Sequence, residues 1–287
     1  MWNAGGVWAQ IRPTAFVLAL AIGAGVLAGT GPVTSAGDDI RLVQFNLCGH
    51  VCRDDDADKV GGVVNSLAGF HPMAVSLNEL CRPQLAAVLD GISRRGWAMH
   101  ARFLVTERGG CRGGVDYGIA VLTRTTIVDA DPVTYAAQNH VGTTELRGLL
   151  CAKAELGSRP TRICTSHVVA ADEDPSGDIR REQVAAAARW VAAYRVPVVV
   201  MGDFNLRPTD RAMSALYTRS HRGGGYGIFD EVDQGSEHCR CGEDTYDSGA
   251  KYDYIFVSAH DFVVAEGDAT ASRFSDHDLL RGWVVAR

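Results

Sequence analysis

The stretch from Val196 to Asn205 constrains this chain more than any other. Val196, Val198, Val199 and Val200 form a β-branched run suited to a buried strand, and Met201-Gly202-Asp203-Phe204-Asn205 then brings a carboxylate and a carboxamide to its end. Residues two apart in an extended chain share a face, so Asp203 and Asn205 are expected to point the same way. A carboxylate can orient a cation-bound water, and an amide can donate to a charged oxygen. The same string also reads as a strand cap and turn, because Gly, Asp and Asn are turn residues. Near the end of the chain, Ser275-Asp276-His277 adds a second acid beside an imidazole. Acids, amides and histidines delivered from several strand ends fit metal-assisted hydrolysis of a phosphate ester.

The surrounding pattern sets the fold class. Residues 40–45 alternate and end at Asn46, which predicts a first strand. Val60, Val63, Val64 and Leu67 give 57–68 helical spacing. Residues 73–77 predict a second strand ending at Asn78-Glu79, followed by a helix over 84–92. Strands over 98–105 and 118–123 flank a glycine-rich loop at 109–114. A hairpin over 148–168 turns at Gly157-Ser158, and an alanine-rich helix follows over 179–194. Strands are further predicted up to Asp203, over 252–258 and over 282–285. Strand–helix alternation that gives way to antiparallel pairs argues for an α/β fold of mixed sheets covered by helices. The chemistry-bearing residues follow strands, where open α/β sheets place their sites.

At the N-terminus, Arg12 precedes an apolar run over 15–29 and the small residues Thr34-Ser35-Ala36, which read as a secretory signal over 1–36. The run is short for a membrane span of ~20 residues, although retention at the cell surface by an uncleaved segment stays open. Residues 37–287 then form one catalytic domain, with no repeat, low-complexity linker or charge block to divide it. The net charge of −6 excludes a global basic field for nucleic acid. Of 28 basic residues only Lys59, Lys153 and Lys251 are lysines, which suits bidentate phosphate recognition by arginine and equally reflects a composition bias. Eight cysteines in an exported chain favour disulfides. The hairpin register sets Cys151 opposite Cys164; zinc is the rival reading for Cys239-x-Cys241 and Cys48-x3-Cys52, without the second half such sites usually show.

Asn46, Glu79, Ser166-His167, Gly202-Asp203-Phe204-Asn205, Tyr252-Asp253-Tyr254 and Ser275-Asp276-His277, in this order, resemble the endonuclease/exonuclease/phosphatase superfamily, the group of deoxyribonuclease I, abasic-site endonucleases, secreted sphingomyelinases and inositol-polyphosphate 5-phosphatases. The resemblance spans 40–287 and implies a four-layer sandwich of two stacked mixed β-sheets flanked by helices, with a divalent cation at one edge. It implies Glu79 as principal metal ligand, with Asn46 beside the metal and phosphate and Asp276 by the metal or holding the water. Oxygen ligands suit Mg2+, with Mn2+ or Ca2+ as alternatives. His277 resembles the catalytic histidine, and Asp253 the carboxylate that fixes its tautomer. His167 resembles the histidine on the leaving-group side; Asp116 is the candidate to orient it, and Glu107 the alternative. Arg147 stands where some nucleases of the group bind phosphate, and Thr245 resembles a threonine that touches substrate phosphate. In the implied mechanism water attacks phosphorus in line, oriented and deprotonated by Asp203 and His277, while Asn205 and His167 stabilise charge.

A secreted nuclease acting on DNA or RNA is the leading expectation. A phospholipid or sphingomyelin phosphodiesterase is the alternative, although no exposed aromatic hairpin for a lipid interface is visible. An inositol-phosphate phosphatase would want a cationic pocket that the scarcity of lysine does not supply. A binding protein without catalysis is the remaining class, disfavoured by the complete acid, amide and histidine set. The sequence carries no oligomerisation signal or obligate protein partner, and a monomer is expected.

Overall fold

A computed structural model of the chain describes residues 39–49, 56–139, 143–219, 224–236 and 239–287. The predicted signal and Cys52 lie outside the described residues. The first half forms β1 (Asp39–Asn46), α1 (Asp56–Phe70), β2 (Ala74–Cys81), α2 (Arg82–Arg94), β3 (His100–Cys111), β4 (Val115–Thr123) and β5 (Asp129–Thr134). Then come β6 (Gly148–Leu156), β7 (Arg159–His167), α3 (Asp178–Val191), β8 (Val198–Asp203) and a 3-10 turn (Arg211–Ala215). Last are β9 (Phe229–Glu231), β10 (Gly235–Ser236), β11 (Cys239–Arg240), β12 (Asp253–Ser258), β13 (Phe262–Thr270) and β14 (Leu279–Ala286).

Two six-stranded sheets run β13-β14-β1-β2-β4-β3 and β5-β6-β7-β8-β12-β9. Both are mixed, because β1–β2 and β7–β8 are parallel and their other neighbours antiparallel. The strands alternate between two apolar environments. Ile40, Leu42, Ala74, Val121, Ile163, Val199, Met201 and Ile255 pack between the sheets. Val43, Phe45, Val75 and Leu77 face outward onto Val63, Leu67 and Val88 of α1 and α2. Val198, Val200, Phe204 and Phe256 pack against Val184, Ala187 and Val191 of α3. Helices, sheet, sheet and helix therefore form the expected four layers.

The strands β5 and β13 and the short β9 to β11 were not expected from sequence. In β13 the alternation is broken by a register shift between Val264 and Glu266, and its exposed edge carries Glu266 and Asp268 rather than an apolar stripe. β14 begins before the predicted 282 because pairing with β13 extends back to Leu279. Cys151 and Cys164 are register partners on β6 and β7 and form a disulfide. Cys81–Cys111 and Cys239–Cys241 are also bridged, the latter in place of the zinc alternative, and no described cysteine is free. Two of the three lysines are buried inside the fold: Lys59 Nζ donates to Gly49 O at 2.8 Å, and Lys251 Nζ to Asp233 Oδ2 at 2.8 Å. Among the described residues no helix is long and apolar enough to cross a membrane.

Candidate active site

The faces that glue the two sheets together turn polar at one end of the sandwich. Along β1, Ile40 and Leu42 are followed on the same face by Gln44 and Asn46; along β2, Ala74 is followed by Ser76 and Asn78. In the second sheet Ile163 leads to Thr165 and His167, and Val199 and Met201 lead to Asp203. The register then assembles these ends, since Asn46 pairs with Asn78, His167 with Asp203, and Asp253 with Asp203 across the antiparallel β12.

Buried polar groups demand partners, and here they find them across the seam. Ser76 and Thr165 share a 2.6 Å hydroxyl contact, and Asn78 Nδ2 donates to Thr165 Oγ1. Gln44 Nε2 donates to Asn78 Oδ1 at 2.7 Å and to Asp253 Oδ1 at 3.0 Å. Asn78 Oδ1 also accepts from the Asp203 backbone N–H at 3.0 Å. Gln44 and Asn78, which sequence reasoning missed, thus lock the two catalytic candidates Asp203 and Asp253 onto the opposite sheet. Their only local signal is a polar side chain on the inward face of an apolar strand.

Asp203 Oδ2 is the focus of the site. Asn46 Nδ2 donates to it at 3.1 Å and to Glu79 Oε1 at 2.9 Å, so this amide spaces two carboxylates. Asn46 Oδ1 meanwhile accepts from the Cys48 backbone N–H. His277 Nε2 lies 3.6 Å and His167 Nε2 3.7 Å from Asp203 Oδ2, and His167 Nε2 lies 3.5 Å from Glu79 Oε1. Burial, together with the neighbouring carboxylates of Asp253 and Glu79, pushes Asp203 up to about 7 against the opposing charge of His277. Gly202 makes the approach possible: a Cβ there would lie 2.1 Å from Ser166 O. Phe204 points to the other side, edge-on to Tyr254 and Phe256.

The two histidines are partnered differently. His277 Nδ1 donates to Asp253 Oδ2 at 2.7 Å. Burial alone would lower His277, but the charges of Asp253 and Asp203 and the hydrogen bond to Asp253 outweigh it and raise the imidazole to about 10. His167 Nδ1 accepts from Arg147 Nη1 at 2.7 Å. Arginine can only donate, so that nitrogen is unprotonated and the ring proton sits on Nε2, towards the carboxylates. Burial, then the charges of Arg147 and His277, hold His167 well below the usual histidine range.

Several expected residues sit elsewhere. Asp116 does not orient His167; it pairs with half-exposed Arg82 at 3.4 Å at the outer side of β4. Glu107 accepts from Thr144 instead. The carboxylate nearest His167 Nδ1 is Glu145, at 3.9 Å, which burial raises to about 7. Arg147 is 4% exposed and spans Glu145 at 3.1 Å and Glu173 at 3.0 Å, so it is a buried node rather than an arginine open to the groove. Thr245 is fully buried, and its hydroxyl accepts from the Tyr252 and Asp253 N–H groups, which fixes the start of β12. Asp276 lies outside both acid–histidine groups, Glu79–His167–Asp203 and Asp203–Asp253–His277, and is hydrogen-bonded by Tyr246. Asn205 has φ of 47°, so it does not continue the extended alternation; its N–H turns back to Asp203 Oδ1 at 2.9 Å and its Nδ2 donates to Val168 O.

Buried carboxylates gathered at one point, with Glu79 19% exposed at their rim, form a hard oxygen donor set that suits a divalent cation. The sequence profile described as "Endonuclease/Exonuclease/phosphatase family" matches residues 43–277. Among solved structures the chain is similar to an endonuclease/exonuclease/phosphatase from Beutenbergia cavernae, at 20% identity and a TM-score of 0.66 over 86% of this chain and 72% of that one. It is similar to D. rerio TDP2 complexed with a single-strand DNA product, at 17% identity and 0.65 over 86% and 98%. It also resembles a mannosyl-6-phosphatase of Bacteroides thetaiotaomicron, at 14% identity and 0.62 over 86% and 99%. No curated protein matches it by sequence.

Proposed function

The chain belongs to the endonuclease/exonuclease/phosphatase family, and we propose that it is a secreted, divalent-metal-dependent phosphodiesterase that hydrolyses nucleic acid. The observation that carries the reading is the convergence of two oppositely charged histidine environments and the Asn46 amide on Asp203 Oδ2. Glu79 is the principal ligand for Mg2+, with Mn2+ or Ca2+ as alternatives, and the Asp203 carboxylate and Asn46 lie beside it. When bound, the cation supplies Lewis-acid charge to the phosphoryl group.

Asp203, oriented by the Asn205 and Asn78 contacts, takes the proton of the attacking water. His277, kept protonated by Asp253, places positive charge against the phosphoryl oxygens; the base role expected for it is therefore assigned to Asp203 alone. His167 carries its proton on Nε2 and serves the leaving-group side. Among phosphodiesters, nucleic acid is favoured by the half-buried rings of Tyr246 and Tyr252, 5.6 Å apart, with Tyr246 4.8 Å from the His277 ring. Aromatic faces of this kind accept stacked bases, typically for ~1–3 kcal/mol per base. The disulfides support export.

The test offers plasmid DNA, RNA and sphingomyelin liposomes to the purified chain with Mg2+ or EDTA, alongside an Asp203→Ala control. Metal-dependent nicking lost in the control is the expected outcome. Phosphocholine release without nicking would move the substrate to lipid, and hydrolysis that persists in EDTA or in the control would overturn the mechanism.

A further inference from the structure

A disulfide stands directly behind the candidate metal ligand. β2 was expected to end at Asn78-Glu79; instead it continues to Cys81, and its register with β4 shifts between Leu77 and Leu80. Glu79 occupies that bulge with φ of 52°, a left-handed conformation that is unfavourable for a non-glycine residue and persists only where its surroundings fix it. Three contacts do so. The Gly49 N–H donates to Glu79 O at 2.7 Å. The Tyr117 hydroxyl hydrogen-bonds the Glu79 side chain. Two residues beyond Glu79, Cys81 is bridged to Cys111.

The bridge and the tyrosine form one unit. Cys81, Cys111 and Tyr117 are buried and make a small apolar cluster of their own, apart from the three larger cores. Cys111 closes β3 just before the turn to β4, a stretch containing Gly109, Gly110, Gly113 and Gly114. Between the pairs Glu107–Tyr117 and Cys111–Val115 the register shifts again, so ladder hydrogen bonds alone do little to place this tip. The disulfide ties the tip to the base of the site. The Tyr117 ring also fills the space beside Gly49, where a Cβ would come within 2.7 Å of it.

We infer that the Cys81–Cys111 disulfide, acting through Tyr117, positions Glu79 for cation binding, so that metal affinity depends on an intact bridge. This rests on the metal-hydrolase reading above. Groups behind a metal ligand typically change affinity by ~10–100-fold when removed. Neither cysteine touches the substrate or the cation; both are positioning residues.

The test measures Mn2+ binding to the metal-free chain by electron paramagnetic resonance, counting the component lost in Glu79→Gln. The pair Cys81→Ser and Cys111→Ser is expected to weaken that component by ~10-fold or more. Tyr117→Phe, which leaves the bridge and ring in place, is expected to weaken it by a smaller factor, and it decides the matter if the double variant does not fold. Removing Cys151–Cys164, whose sulfurs lie on the α3 side of the second sheet, lowers stability and leaves Mn2+ affinity unchanged. A Glu79-dependent component unmoved by loss of the bridge, or by Tyr117→Phe where that variant decides, overturns the inference alone. Equal weakening on loss of either disulfide overturns it as well. Absence of any Glu79-dependent component overturns the metal site and the bridge's role together.

Discussion

His277 and His167 approach the same oxygen, Asp203 Oδ2, from two sides and at nearly the same distance, 3.6 and 3.7 Å. Their far nitrogens meet opposite charges. Asp253 lies behind His277 and Arg147 behind His167, so one ring is held protonated and the other neutral within a single pocket. Burial is common to both and favours the neutral form; Asp253 and Asp203 overcome it at His277, whereas Arg147 adds to it at His167. A site that needs fixed positive charge on one side and a neutral N–H on the other obtains both from one residue type by changing what stands behind it.

The strongest break in that comparison is removal of the charged ring. His277→Ala is expected to lower turnover by ~10² or more, the usual scale for a lost acid–base or charge-stabilising group; near-normal steady-state rates would end the assignment. Next comes Arg147→Met, which takes the cation from behind His167 and leaves Glu145 and Glu173 without their guanidinium. Breaking a buried ion network in this way typically costs ~3–5 kcal/mol. Chemical denaturation should register that loss, and the His167 resonance should titrate closer to the ordinary histidine value; an unmoved resonance would show that burial alone sets it.

The pH dependence sharpens the contrast without mutation. In metal-free protein His277 is expected to keep its proton to about pH 10. Its folded value lies above that of the unfolded chain, near ~6.5, so its contribution to stability is full below ~6.5 and is lost as pH rises towards about 10. His167 has the opposite sign: its folded value is depressed, so its contribution is present above ~6.5 and lost as pH falls below that. Imidazole NMR titration and denaturation at several pH values check both directions, and parallel titration of the two rings would erase the distinction. The smallest effect is expected for Asp116→Asn. Its ion pair with Arg82 is exposed, so the change should stay within ~0.5 kcal/mol with activity unaltered. A deep loss of activity there would return Asp116 to the role sequence suggested.

The His277 half was more legible in the sequence than the His167 half, for a physical reason. Asp203, Asp253 and His277 each stand at a strand end or beside one, where an apolar run meets a polar group and the local pattern announces the change. The Arg147 node depends on Glu145, which precedes β6 in a stretch without periodicity, and on Glu173, in the loop before α3; only the fold brings them to His167. Asp116 was chosen because it precedes the apolar part of β4, but nearness in sequence does not fix which side of a hairpin a carboxylate occupies. Gln44 and Asn78 were hidden because their partners lie far along the chain, 209 residues for Gln44–Asp253 and 125 for Asn78–Asp203. The sandwich itself was readable, because strands buried on both faces show as apolar runs bounded by turn residues; β13, with one exposed, charged face and a register shift that breaks its alternation, was not.

The burial of Lys59 and Lys251 has a practical consequence for handling the molecule. Both ammonium groups are committed inside the fold, at 2% and 3% exposure, so amine-directed reagents find Lys153 on β6 as the one lysine side chain within reach. Lys153 is five residues along β6 from Gly148, the register partner of His167, a separation of ~17 Å in an extended strand. A dye or biotin attached through a lysine side chain would therefore sit at a single defined position, away from the candidate site.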